Sequence, residues 1–392
     1  MVEAKKSRTN GQREQVDFSL HGVVGVRLID PSPEDEAAIA RQLGPLQGEL
    51  NGRPDLVIRF VKHVPTKGIV RVELDKSGFS DEGFLLFETK KKVRKLILPF
   101  DELEPGKTCE VVCESGLHSV PYLITLVGLI ALTKDYVPLH ASAFSCDDTG
   151  VLVTGWAKGG KTEALLAFTL NGGSYIGDEW ILLSADGEKM LGVPENIRLW
   201  DWHLEYLPEV RAAVKPGYRA LFKGIRLLDS THAGLTRVGV PLGRYIDKAM
   251  PALRRQLNVT LDPQVVFNGG MSRRPHKPDK IFLMLSSEDP TIRVEPCDPL
   301  EVARRVSFST SYEQMRLMGS YLAFRFSFPH KRSRLIESAH ELQQSLLSRA
   351  LAGKEAYIVK HPYPVVLPQL YDAMCPFVSC SRTSVRATRT VG

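Results

Sequence analysis

The chain has 392 residues, 43% hydrophobic and 24% charged, the make-up of an ordinary globular protein with room for more than one domain. A formal net charge of +6 suits a protein that handles anions such as nucleotides, and it does not call for nucleic acid as a partner. The longest apolar run, residues 120–133, is short of the ~20 residues that span a bilayer, and residues 1–15 lack the apolar core of a signal peptide, so no membrane is expected and a cytoplasmic location is.

In chain order, residues 1 to about 16 are polar and of mixed charge and read as a disordered lead-in. Residues 22–29 predict a strand. Pro31-Ser32-Pro33-Glu34-Asp35-Glu36 then predicts a helix start, with Ser32 as cap and acidic residues in the first turn. β-branched or alternating runs at 56–61, 69–74, 84–87, 93–98 and 109–113 predict a mainly β accessory domain over about residues 17–116, without a chemical motif. A buried helix near Leu123–Leu132 opens a second unit, expected to run over 117–352. Strand 137–144, a turn at 147–150 and strand 151–155 then form a hairpin. A helix stopping at Asn171-Gly172-Gly173 is followed by a strand over 174–183 that is interrupted by an acidic pair. Residues 200–278 are rich in Gly, Pro and basic side chains, and their path is not legible. A strand at 280–285, amphipathic helices at about 299–323 and 333–351, and a C-terminal extension over 353–392 complete the chain.

The stretch with chemistry is Gly155-Trp156-Ala157-Lys158-Gly159-Gly160-Lys161-Thr162-Glu163, which satisfies the P-loop spacing G-x-x-x-x-G-K-[ST] between an apolar strand and a helix-forming segment. Gly155 and Gly160 allow backbone angles that turn successive N–H groups inward around a phosphate. The following helix aims its positive end at the same place. Lys161 is expected on the β- and γ-phosphates and Thr162 on Mg²⁺, which makes ATP and Mg²⁺ the expected cofactors. The alternative is a glycine-rich turn that binds nothing.

Asp178-Glu179 lies one βα unit downstream, within reach of a metal beside Thr162. Neighbours on a strand face opposite ways, so the two carboxylates take different roles unless a bulge turns both inward. One can bind Mg²⁺ and the other can accept a proton from an alcohol; an edge pair facing solvent is the plainer alternative. His140, on the strand before the P-loop, reads either as a buried core histidine or as a polar group near the phosphates. Arg198, Arg244, Arg254, Arg255, Arg273 and Arg274 are further sources of charge for a transferring phosphoryl group. His340-Glu341 is followed by Gln344, which excludes a zincin. The six cysteines have no zinc spacing and read as reduced thiols.

At these residues the chain resembles the HPr kinase/phosphorylase-like family, whose core is akin to that of phosphoenolpyruvate carboxykinase. The match covers His140 to about Leu183 and rests on three features at the family's spacing. These are the histidine before the loop, Gly155–Thr162 with Glu163, and the acidic pair. The resemblance implies an α/β fold, a P-loop kinase core of that type with the mainly β (α+β) N-terminal domain attached. It also implies Asp178 as the base for a serine hydroxyl, Glu179 as a second acid near the metal, His140 assisting at the phosphates, and Lys161 holding them. The chain departs from the family in Glu179, where Asp is usual, in the loop interior Trp156-Ala157-Lys158, and in lacking a legible Glu and Arg-Gly motif.

The expectation is therefore an ATP- and Mg²⁺-dependent kinase acting on an alcohol, a serine of a protein or peptide or a small molecule. A nucleotide-binding switch or scaffold and an ATPase are the competing readings; self-association is left open.

Overall fold

The structure, a computed structural model, describes residues 14–65, 67–89, 93–237, 249–267, 270–272 and 274–378. Its architecture is mixed α/β, in two compact units: residues 196–269 form one, and the chain before and after them forms the other.

The larger unit contains two mixed sheets. The first has the order β1-β2-β3-β8-β7-β6-β5-β4, from β1 (Gln15–Leu20), β2 (Val24–Ile29), β3 (Leu56–Val61), β4 (Val70–Glu73), β5 (Ser77–Ser80), β6 (Gly83–Thr89), β7 (Val93–Ile97) and β8 (Cys109–Glu114). Strands β2, β3 and β8 are parallel and the remaining pairings antiparallel. The β2–β3 crossover carries helix α1 (Pro33–Leu43). Ser32 caps α1 by accepting from the Asp35 amide, and the Asp35 carboxylate returns to the Ser32 amide, so two otherwise orphaned donors are satisfied. Of the lead-in read over residues 1–16, residues 1–13 lie outside the described residues, and β1 begins at Gln15.

Helix α2 (Leu123–Leu132) follows, with eight of its ten residues buried. Each fully buried leucine there contributes about 1.5–3 kcal/mol of apolar burial. The second sheet is then built from β9 (Tyr136–Cys146), β10 (Thr149–Gly155), β11 (Ser174–Gly177), β12 (Trp180–Ser184) and β13 (Met190–Gly192), with helix α3 (Lys161–Thr169) between β10 and β11. Strands β9 and β10 form the hairpin expected from the sequence, Thr149 opposite Cys146. β9 is long enough to pair with β11 and β12 as well.

The smaller unit pairs β14 (Ile197–Trp200) with β15 (Asn258–Leu261) and carries helices Pro208–Ala213 and Pro216–Arg237. Arg244 and Arg273, named above as charge sources, lie outside the described residues.

Returning to the larger unit, β16 (Lys280–Ser286), β17 (Arg293–Cys297) and β18 (Glu355–His361) complete the second sheet, in the order β13-β12-β9-β10-β16-β18-β17. β10, β16 and β18 are parallel, so residues 355–361 of the C-terminal segment sit inside this sheet. Helices Pro299–Ser327 and Arg334–Leu351 pack together, and one continuous core joins both sheets. Phe84 and Phe100 of the first sheet's side meet Phe324 with ring centroids 5.9 and 5.3 Å apart, which fixes the far end of the long helix 299–327. Cys109, Cys113, Cys297 and Cys375 are free thiols, whereas Cys146 is disulfide-bonded and departs from the all-reduced expectation. Among the described residues no helix is long and apolar enough to cross a membrane.

Candidate functional site

The site forms where β10 ends. The apolar strand stops at Gly155, the chain turns through Trp156–Gly159 with the Gly159 amide bonded to the Trp156 carbonyl at 3.0 Å, and α3 begins at Lys161. Gly160 caps α3 at φ +98°, a backbone angle that disfavours any side chain. A Cβ there would also lie 2.6 Å from His361 Nε2. The strand–turn–helix context required of a P-loop is thus present.

His361, fully buried at the end of β18, bonds the Gly159 carbonyl from Nε2 at 2.8 Å, and Ser309 of the long helix donates to the Gly155 carbonyl at 3.1 Å. The loop is therefore held at both ends by elements far away in sequence. Lys161 is buried against the loop and donates to the Trp156 carbonyl at 3.0 Å. Burial pulls its pKa down, opposed by the surrounding carboxylates. Trp156 is half exposed and packs on Tyr312 of the long helix, centroids 4.8 Å apart. Lys158 is exposed at φ +62°, Ala157 is half-buried, and Glu163 is buried in the first turn of α3.

Thr162 Oγ1 donates to Asp178 Oδ2 at 3.0 Å, so the loop threonine and the first member of the acidic pair are in direct contact. Asp178 also accepts from Ser142 and is almost wholly buried. Burial, then the charge of Glu179, pushes its carboxyl up to about 6, against the hydrogen bonds from Ser142 and Thr162. Glu179 has φ +65° and breaks the strand between β11 and β12. That break settles the question left by strand alternation. Asp178 turns to Thr162 while Glu179, 41% exposed, reaches His140 Nε2 at 2.9 Å. His140 and Ser142, two residues apart on β9, share a face and engage one carboxylate each.

His140 Nδ1 stands 3.0 Å from Glu313 Oε1, an ion-pair contact off the line of a hydrogen bond. Burial lowers the imidazole pKa, but the contacts with Glu179 and Glu313 outweigh it and the net shift is upward. Ser309 and Glu313 are four apart on the long helix, so one helix face serves both the loop and the histidine. Glu195 completes the acidic cluster: its Oε1 is buried without a hydrogen-bond partner, and burial followed by the charges of Glu179 and Asp178 lifts it to about 8.

The donors here are a threonine hydroxyl and carboxylates, hard oxygen ligands of the kind Mg²⁺ takes together with substrate phosphates. No group of three or more His, Cys, Asp or Glu among the described residues is arranged to hold a metal alone, so any ion here needs the hydroxyl, phosphate or water for its remaining ligands. The orphaned Glu195 oxygen and the uphill burial of Asp178 are what a cation at this position would relieve.

Sequence reasoning missed Ser142, Glu195, Ser309, Glu313 and His361. Only Ser142 had a local signal, being two positions from His140 on a strand. Of the arginines offered as charge sources, Arg254 is exposed and engaged by Asp229 at 2.6 Å. His340 bonds Ser311 at 2.9 Å and packs on Phe308. No family model matches this chain, and no curated protein matches its sequence.

Proposed function

We propose that the chain is an ATP- and Mg²⁺-dependent kinase, with a P-loop core of the HPr kinase type, that transfers the γ-phosphoryl group to an alcohol, a serine hydroxyl of a peptide, protein or small molecule. The observation that carries this is the part-buried contact between Thr162 Oγ1 and Asp178 Oδ2, 3.0 Å, at the mouth of the glycine loop. A hydroxyl suited to a nucleotide-bound cation and a carboxylate that could share it are adjacent.

In this reading the amides of residues 160–162 and the Lys161 ammonium bind the phosphate oxygens. Thr162 and Asp178 would hold Mg²⁺, with Glu179 and Glu195 nearby; bound there, the ion neutralises charge on the phosphate oxygens. Asp178 accepts the proton of the acceptor hydroxyl as its oxygen bonds to the γ-phosphorus. The bond from the γ-phosphorus to the β,γ-bridging oxygen breaks, and ADP leaves. His140, held between Glu179 and Glu313, keeps Glu179 oriented and adds positive charge beside the transferring group.

The test uses γ-labelled ATP, Mg²⁺ and a cell extract with wild type, Lys161→Ala and Asp178→Ala. Label on a hydroxyl-bearing acceptor with wild type alone, and retained ATP binding by Asp178→Ala, are expected. Release of free phosphate without a labelled acceptor favours an ATPase. Tight ATP binding with neither product favours a switch.

A further inference from the structure

The smaller unit holds a feature that the kinase reading does not use. Residues 196–269 contain eleven Lys and Arg against six Asp and Glu, so this short stretch carries +5 of the chain's net +6. Part of that charge converges on a groove of about 580 Å³ walled by helices 208–213 and 216–237. Arg219, Lys223 and Arg226 recur at four and three residues along helix 216–237 and form a row about 10 Å long on one face; Arg211 joins them from the shorter helix. Arg226 is held in place by Asp201 and by Glu205 at 2.7 Å. Arg211, Arg219 and Lys223 pair with no carboxylate among the described residues. Between the cations the groove is apolar, lined by Leu204 and Phe222, both buried.

We propose that this groove binds an extended acidic peptide segment. A single phosphate spans too little to meet a row of this length. Alternate side chains of an extended chain recur about 7 Å apart on one face, which matches two carboxylates to Arg219 and Lys223, with Arg211 alongside. Single-stranded nucleic acid fits less well, because the only ring lining the groove, Phe222, is buried and offers bases nothing to stack on. The proposal does not rest on the kinase reading.

The experiment is fluorescence anisotropy of a labelled octapeptide of alternating Glu and Leu with the full-length protein. Its Gln-for-Glu counterpart, inorganic phosphate at 1 mM and an oligo-dT serve as comparison arms. The acidic peptide is expected to bind at least tenfold more tightly than the Gln peptide and to weaken several-fold between 50 and 300 mM salt (roughly the screening expected of exposed charges). R219E with K223E is expected to cost at least tenfold, while K215E, exposed but outside the groove, changes binding less than twofold. If the charge-reversed protein fails to fold, R219Q with K223Q is used, with a loss of at least threefold expected. Equal binding of the Gln peptide, an unaffected double variant, displacement by phosphate, or tighter binding of oligo-dT would each overturn the proposal.

Discussion

Asp178→Asn separates stability from chemistry at the centre of the site. Burial raises the Asp178 carboxyl from 3.8 to about 6, so the folded protein prefers it protonated. A group whose folded pKa exceeds its unfolded value supports the fold below the unfolded value and loses that support as pH climbs through the folded one. The shift of about two units makes ionisation cost the native state about 1 kcal/mol at pH 4.5 and about 3 kcal/mol at pH 7.5. Asparagine removes this cost, and its one carbonyl oxygen serves the Ser142 and Thr162 donors less well, a loss of about 1 kcal/mol at any pH. The variant is therefore expected to match wild type near pH 4.5 and to be about 2 kcal/mol more stable at pH 7.5. Phosphoryl transfer is lost throughout. Urea unfolding of both proteins in EDTA, without nucleotide, reads the difference; Glu195, whose carboxyl the Asp178 charge helps to raise, is relieved in the variant and adds to it in the same direction. A stability difference that stays flat with pH, or that turns against the variant as pH rises, refutes the assigned burial of this carboxylate.

Three further outcomes follow from the same geometry. Gly160→Ala meets both the left-handed backbone and the His361 ring at 2.6 Å, and a loss of about 2–4 kcal/mol in urea unfolding is expected, with ATP affinity falling alongside. Glu313→Gln removes one of the two carboxylates that hold the His140 pKa up, so its midpoint in an NMR titration of the imidazole protons is expected to fall; an unchanged midpoint counts against the ion pair. Phe324→Ala empties a fully buried aromatic contact between the long helix and the first sheet and is expected to cost about 3–5 kcal/mol in the same unfolding assay.

Local signals made much of this legible from sequence. Leu56–Val61 is a strand over the residues its β-branched run marks, Ser32 caps α1 as its spacing predicts, and the hairpin leading to Gly155 follows from two apolar runs about a short turn. β1, β5 and β18 escaped: Gln15–Leu20 alternates polar and apolar residues but follows directly on the polar lead-in, Glu355–His361 has polar residues at both ends, and Ser77–Ser80 is short and contains glycine. At the site, the loop and the acidic pair are contiguous motifs and could be read. The facing of Glu179 could not, since it depends on one residue at φ +65°. Glu313 reaches His140, and His361 the loop, only through tertiary packing, and neither leaves a trace in local spacing.

The most direct measurement is anomalous scattering from Mn²⁺ in crystals grown with a non-hydrolysable ATP analogue. The account predicts Mn²⁺ held by Thr162 and Asp178 together with the phosphates of the nucleotide. A nucleotide whose phosphates lie away from residues 155–162, or an ion bound without Thr162 and Asp178, would contradict it.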